Sequence, residues 1–390
     1  VKPLRLLAHA DRRVRLGHNW IFSNEVDIAQ TPLGAFAPGE LARVVDVARN
    51  PVGIAYVNPH ALIAARLLTR DVRATIDAAW FSSRLKRALE LRAQLFADPY
   101  YRLAYGESDG LPGLVIDRYG DVCVAQLNTA GMVGFREAIV AAVTELLAPR
   151  GLLLRNAGST RALEGIEALD VALGDVPDRV DVIEGDMVVS APLRAGQKTG
   201  YFYDQRDNRA RLRRYVKAGD RVLDVFSYVG AWAVSAFAAG AQSVTCIDQS
   251  ELALDYADAN ARRAGHEIDG LVGDALEVMK GLHGERRRYD VIVLDPPALI
   301  KRRKDAAAGE RLYARLHEAA FRLLKEDGFL VSASCSHHLE AERLQRVAHE
   351  AARECGRRLQ ILERHGHAPD HPVHPAMPET EYLKALFLRA

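Results

Sequence analysis

The most ordered hydrophobic pattern lies in the second half of the chain. From Arg221 onward, short β-branched runs alternate with stretches whose apolar residues recur at helical spacing, the pattern of a doubly wound parallel sheet. Strands are predicted at Arg221–Phe226, Ser243–Asp248, Ile268–Val272, Asp290–Leu294 and Gly328–Ser334. A helix is bounded by Ser250, a good N-cap, and Gly265, a good C-cap. Two more helices run from about Gly309 to Glu326 and from Leu339 to about Cys355, followed by strand-like runs at Arg358–Arg364 and Tyr382–Leu388. Seven strands with a final antiparallel pair are expected. The uncharged stretch Val225–Ile247 is long enough to cross a bilayer, but Ser227, Gly230, Ser235, Gly240, Gln242 and Ser243 divide it into strand, turn, helix, turn and strand.

The N-terminal pattern differs. A short helical piece at Asp11–Leu16 precedes GHNWIFSNEV, and LARVVDV, a turn at Ala48–Pro51, VGIAYVNP and LIAARLL then predict a small all-β barrel. Between Trp80 and Gln197 the pattern is mixed, with helices near Phe81–Phe96 and Phe135–Leu147 and strands near Leu114–Asp117, Val122–Leu127, Leu152–Arg155 and Val180–Val189. The expected parsing is a barrel over 1–72, an α+β linker over 73–191 and an α/β domain over 192–390. A length of 390 residues suits two or three such domains. With 52 basic and 51 acidic residues the net charge is +1, so no global field draws the chain to nucleic acid or membrane, and local clusters must be sought instead. Four cysteines without a pairing pattern fit a reducing compartment, and VKPLRLLAHADRRVRLG lacks the apolar core of a signal peptide. A cytoplasmic location is expected.

Candidate chemistry collects at predicted strand ends. VLDVFSYVGAW, Val222–Trp232, leaves a strand and enters a helix through small residues, so that Asp224 and the loop of Phe226, Ser227, Tyr228 and Gly230 make a nucleotide-type cradle. Asp248 ends the next strand, where a carboxylate can take both ribose hydroxyls, and Asp274 of Gly273–Ala275 can accept from an adenine amine. Three acids and only Gly230 in the loop suit S-adenosylmethionine (SAM), whose amino and sulfonium groups are cationic, better than a dinucleotide. The fourth strand ends in LDPPALI, a rigid, donor-poor loop able to hold a base beside the methyl group. Amino-group methyltransferases usually follow the prolines with an aromatic, where this chain has Ala298. Cys335 ends the fifth strand, just before a predicted helix whose dipole would favour thiolate. That placement suits addition to carbon 6 of a pyrimidine ahead of methylation at carbon 5. Cys123, Cys246 and Cys355 read as packing residues. Two basic runs flank the predicted cleft: Lys198, Arg206, Arg209, Arg211, Arg213, Arg214 and Lys217, and then Lys301, Arg302, Arg303 and Lys304. With Lys2, Arg5, Arg12, Arg13 and Arg15 they are expected to form one path for RNA phosphates. The histidines of HGHAPDHPVHP fit no zinc spacing, and no metal is expected.

GQKTGYFYDQR, VLDVFSYVGAW, LDPPALIK, SCSHH and DHPVHPAMPETEYLKALFLR together resemble the PUA-domain-containing class I SAM-dependent methyltransferases that form 5-methylcytosine in bacterial large-subunit ribosomal RNA. The resemblance spans nearly the whole chain. It implies a PUA barrel, a Rossmann-like seven-stranded methyltransferase domain, Cys335 as nucleophile, and Asp295 contacting the cytosine or assisting proton removal. It further implies that Gln197, Lys198, Thr199, Gln249, Ala275, Asp295 and Pro296 join the cradle around SAM, and that Lys198 also meets RNA. A second cysteine after the Asp-Pro pair is absent, implying a single-cysteine mechanism. Val229 and Ala231 stand where many members have Thr and Gly. Large-subunit ribosomal RNA is the expected partner, a homodimer stays open, and membrane is not expected. Two other readings stay open: methylation of an exocyclic amine through Asp295-Pro296-Pro297 with a structural Cys335, and a non-catalytic RNA-binding assembly factor.

Overall fold

The computed structural model describes residues 1–156 and 159–390, with backbone only at 159–161. These residues form two compact units: Val1–Val180 with Pro192–Tyr203 and Pro369–Thr380, and Asp181–Ala191 with Asp204–Ala368 and Glu381–Ala390.

The first unit holds two sheets. In the N-terminal one, Leu41–Val45, Pro51–Val57 and Ile63–Thr69 pair antiparallel in sequence, flanked by Lys2–Arg5 and Trp20–Phe22. Its core is Leu4, Leu6, Ile21, Val44, Val57 and their neighbours. The second sheet orders Asp170–Gly174, Gly151–Arg155, Val122–Leu127, Leu114–Tyr119 and Tyr100–Tyr105, covered by helices Ala78–Leu95 and Arg136–Leu147. The strands at Tyr100 and Asp170 were not expected from the pattern. The strand expected at Val180–Val189 is a hairpin, Arg179–Glu184 and Met187–Pro192, because Gly185 adopts φ +63 and reverses the chain there.

The second unit carries the sheet that positions the chemistry. Its strands are β1 (Arg221–Val225), β2 (Ser243–Asp248), β3 (Ile268–Val272), β4 (Tyr289–Leu294), β5 (Leu324–Ser334), β6 (Gln360–His365) and β7 (Lys384–Arg389), in the spatial order β3-β2-β1-β4-β5-β7-β6. β1 to β5 are parallel, and β7 pairs antiparallel with both β5 and β6. The expected α/β methyltransferase fold and its antiparallel final pair are present. The helices that follow β1 to β5 are α1 (Ala231–Ala238), α2 (Glu251–Arg263), α3 (Ala275–Gly284), α4 (Ala306–Leu323) and α5 (Ala341–Glu354). Alternation along the strands divides the core into two faces. Leu223, Val225, Ile292 and Leu294 pack with Leu316 and Phe321 of α4, whereas Val222, Val291 and Val293 pack with Trp232 and Phe237 of α1. The uncharged Val225–Ile247 segment is divided between β1, α1 and β2, and among the described residues no helix is long and apolar enough to cross a membrane.

Candidate active site

The cradle is built by the turn between β1 and α1. After Val225 the chain bends so sharply that Phe226 (φ +66) and Tyr228 (φ +48) both enter the left-handed region, an uncommon and costly conformation for residues with side chains. The amides of Phe226 and Ser227 both donate to the Ile247 carbonyl of β2, at 2.8 and 3.1 Å, which holds the bend. Gly230 caps α1 at φ +75, and a Cβ there would lie 2.8 Å from that of Ala257, so the close approach of α1 to α2 requires glycine. Asn260, buried in α2, ties the loop further by donating to the Val229 carbonyl at 2.9 Å.

The three strand-end acids have three distinct environments. Asp224 is fully buried, and among the described residues neither carboxylate oxygen meets a donor at full hydrogen-bond geometry. Burial, then the charges of Asp295 and Asp248, push its carboxyl well above the usual range, which the Ala233 amide and the Arg209 guanidinium only partly offset. A buried carboxylate without a partner is costly, and a cationic ligand group is what would relieve it. Asp248 takes the amides of Tyr228 and Ser250, each at 2.9 Å, so it shapes the loop as well as standing at its edge. Asp274 caps α3, its Oδ1 accepting from the amides of Leu276 and Glu277 at 3.0 and 3.3 Å. Gln249 follows Asp248 in the bend before α2, and Ala275 is the first residue of α3. A buried acid under a backbone cradle, ionised most readily beside a cation, fits the ammonium-bearing end of SAM.

The β4 and β5 ends are neighbours in the sheet, and they bring the two candidate catalytic groups together. Asp295 is held by Gln205 and Trp232, whose side-chain N–H groups donate to Oδ1 and Oδ2 at 2.9 and 3.1 Å. Burial outweighs these bonds, with Asp204 adding to it, and raises the Asp295 carboxyl to about 6. The partly exposed Cys335 Sγ lies 3.8 Å from the Pro296 carbonyl oxygen, so the thiol abuts the Asp-Pro-Pro loop. One expectation is corrected: α5 starts at Ala341 with Glu340 as its N-cap, too far along the chain for its dipole to act at Cys335. A different cation stands there. The antiparallel register pairs Ser334 with Lys384, whose ammonium donates to the Ser336 carbonyl at 2.7 Å. Burial lowers the Lys384 ammonium to about 8, against the opposing pull of Cys335 and Glu381. Beneath them Ser336 Oγ accepts the Ile300 amide at 3.1 Å and shares a hydrogen bond with the Tyr313 hydroxyl, bracing the two strand ends. Lys384, Gln205 and Trp232 were missed as site residues. A lone lysine in the apolar run YLKALFL was the available signal.

The basic runs separate into two kinds. Arg209 is buried and clamped by Glu184 through bonds of 2.7 and 2.6 Å, so its expected phosphate contact is corrected: its charge is neutralised inside the fold. Arg206 lies 3.8 Å from the same carboxylate, Arg211 and Arg214 bind Glu363, and Arg213 binds Asp186. Lys301, Arg302, Arg303 and Lys304 are exposed, and only Arg302 has an acid partner, Asp305, among the described residues. In the first unit Arg13 is bonded to Glu25 and Arg15 to Asp11 and Asp46, whereas Arg12 is exposed. Gln197, Lys198 and Thr199 also belong to that unit: Lys198 (φ +49) lies over the Phe202 ring at 5.3 Å, and the Thr199 carbonyl accepts from Tyr119. Cys123 and Cys246 are buried, and Cys355 bonds the Glu318 carbonyl. Among the described residues no group of His, Cys, Asp and Glu is arranged to hold a metal ion. His371 is buried against Asp370, and His367 accepts the amides of Tyr382 and Leu383.

Comparison with known proteins finds matches to two parts of the chain. Residues 4–70 match a PUA-like domain, and residues 163–389 match the S-adenosylmethionine-dependent methyltransferase family. The chain is 36% identical over 375 residues to "Ribosomal RNA large subunit methyltransferase I" of Cronobacter sakazakii, covering 94% of each. It is 36% identical over 406 residues to "Ribosomal RNA large subunit methyltransferase" of Deinococcus radiodurans, covering 99% of this chain and 97% of that one. A structure from Streptococcus mutans assigned to the SAM-dependent methyltransferases has the same fold over the full length of both chains, with TM-score 0.84 at 19% identity.

Proposed function

The chain belongs to the S-adenosylmethionine-dependent methyltransferase family, with SAM as cofactor, and we propose that it methylates carbon 5 of a cytosine in large-subunit ribosomal RNA. The substrate class is supported by the two relatives and by the PUA-like match. The carbon 5 chemistry is supported by one observation above others: a partly exposed cysteine at the β5 end, beside the Asp-Pro-Pro loop and a half-buried ammonium.

SAM, when bound, supplies an electrophilic methyl group on a sulfonium. Asp224 would hold the ammonium end, Asp248 the ribose hydroxyls, and Asp274 the adenine amine, beside the β1–α1 turn. Gln197, Lys198, Thr199, Gln249, Ala275 and Pro296 are proposed as further cofactor contacts. The Cys335 thiolate adds to carbon 6 of the flipped cytosine, forming an S–C bond and moving the C5–C6 π pair toward carbon 5. That pair forms the new C–CH3 bond as the methyl's bond to the donor sulfur breaks, its electron pair staying on sulfur and S-adenosylhomocysteine leaving. A base then takes the carbon 5 proton, the C5–C6 double bond re-forms, and the S–C bond breaks to return the thiolate. Asp295, titrating near 6, is suited to hydrogen-bond the base or to take that proton. Arg12, Lys301, Arg303 and Lys304 are the proposed RNA contacts, within a chain divided near 72 and 191.

The test pairs Cys335→Ala with RNA carrying 5-fluorocytosine. Wild type should be trapped as a covalent complex because fluorine cannot leave as the proton does. The variant should lose methyl transfer while its SAM affinity stays within about twofold. Methylation by Cys335→Ala at the wild-type rate would replace this mechanism with amine methylation. Wild type that methylates no ribosomal RNA fragment would leave the assembly-factor reading. Mass spectrometry of ribosomal RNA from cells lacking the gene would locate the nucleotide.

A further inference from the structure

The first unit contains a cleft of about 690 Å³ that has no role in the chemistry above. It is lined by Arg70 at the end of strand Ile63–Thr69, by Arg84 and Arg87 of helix Ala78–Leu95, and by Glu107 and Asp109 of the short turn after Tyr105. Its size lies within the ~300–1,000 Å³ usual for ligand clefts.

Charge in this cleft is neutralised on one side only. Asp109 is clamped by Arg92 through bonds of 2.7 and 2.8 Å and also accepts the Tyr105 amide at 2.7 Å. Glu107 accepts the Trp20 indole N–H at 2.8 Å and lies 4.0 Å from Arg66. Both acids are therefore satisfied by residues other than the cleft arginines. Arg70 donates to the Val14 carbonyl, an uncharged partner. Arg84 and Arg87 have no carboxylate partner among the described residues. The Arg84 guanidinium is centred 3.5 Å over the Trp80 ring, and burial together with Arg87 lowers it to about 10. A half-buried arginine held beside a second one, with no acid, favours any anion that can enter. Leu67, Leu68 and Leu91 supply apolar wall for a larger group than a free anion.

We propose that this cleft takes one nucleotide of the RNA substrate away from the methylated base, with its phosphodiester on Arg84 and Arg87. The inference rests on the reading of the chain as an RNA methyltransferase. An arginine fork stacked on an indole matches a phosphate in geometry as well as charge. The neighbouring apolar side chains give sugar and base a surface, as single-stranded RNA recognition requires. An acidic peptide would use the charge but not that surface.

The experiment is a salt titration of binding to a labelled ribosomal RNA fragment that wild type methylates, using Arg87→Glu and the double variant Arg84→Gln/Arg87→Gln. Both should weaken RNA binding, and the double variant should flatten the slope of log affinity against log salt by about 0.7 for each phosphate it no longer holds. SAM affinity should stay within twofold. Arg87 is exposed, so Arg87→Glu reports even where the double variant folds poorly. Wild-type slopes in both variants, with RNA methylation intact, would overturn the cleft assignment alone. Wild type with no affinity for RNA would overturn the functional reading with it. An acidic peptide that displaces RNA better than a nucleoside monophosphate does would also overturn the proposal.

Discussion

The two units each leave charge uncompensated, and they do so with opposite signs. In the second unit, Asp224, Asp248 and Asp295 stand on adjacent strand ends, and Asp224 is buried with neither oxygen meeting a donor at full hydrogen-bond geometry among the described residues. In the first, Arg84 and Arg87 face a cleft whose acids are bound elsewhere. Each unit also shows the opposite habit: Arg209 is clamped by Glu184, and Arg102 by Asp117. The fold thus neutralises charge in the pairs that brace it, and the exceptions coincide with the two sites proposed above for ligands of opposite sign.

The strongest way to break this comparison is Asp224→Asn. If the carboxylate is kept for a cation, SAM should bind roughly 10–150-fold more weakly, the scale of a hydrogen bond to a charged group. The melting temperature of the ligand-free protein should not fall, because the amide relieves a buried acid. Unchanged SAM affinity by calorimetry would make Asp224 a merely tolerated defect.

Lys384→Met tests whether a charge held on a backbone carbonyl can be functional. Removing a cation beside Cys335 should cost about one pKa unit of thiolate stabilisation, hence about tenfold in Cys335 alkylation rate at neutral pH. The alkylation pH profile should move upward, and Lys384→Arg should restore part of the rate. A profile that does not move would reduce Lys384 to a brace for the Ser336 carbonyl.

The Asp295 carboxyl supplies a pH measurement. Its folded-state value, about 6, lies above the ordinary 3.8, so the folded protein holds this proton more tightly than the unfolded one. The carboxyl's stabilising contribution is therefore fully present below the unfolded value and is lost as pH rises from there through about 6, by roughly 3 kcal/mol. Carboxyl NMR should place its midpoint near 6. A midpoint near 4 would show that Gln205 and Trp232 outweigh burial.

The smallest effect contrasts the two basic runs. Neutralising Lys301, Arg302, Arg303 and Lys304 should flatten the salt slope of RNA binding by up to about 0.7 for each phosphate released, and leave stability alone. Neutralising Arg211, Arg213 and Arg214 should do the reverse, lowering the melting temperature with the slope intact, since each is bound to an acid. Equal slopes for both variants would abolish the distinction.

Local pattern carried most of the fold. The apolar runs of β1 to β5 mark strands covered on both faces, Ser250 caps α2 as its side chain requires, and the acids at strand ends stand at one edge because parallel strands all end there. Cys335 at the β5 end and Asp295 at the β4 end were legible for the same reason. Spacing is a local property, written into consecutive residues. Compensation is not. That Glu184 neutralises Arg209, that Lys384 rather than the α5 dipole stands by Cys335, and that Asp224 meets no donor at full geometry among the described residues depend on residues far apart in sequence. An arginine in RDNRARLRR reads the same whether it faces water or an acid across a hairpin. The sequence alone therefore determined where ionisable groups stand along each element. Only tertiary packing, which decides burial and brings opposite charges within reach, determined which of them are left for a ligand.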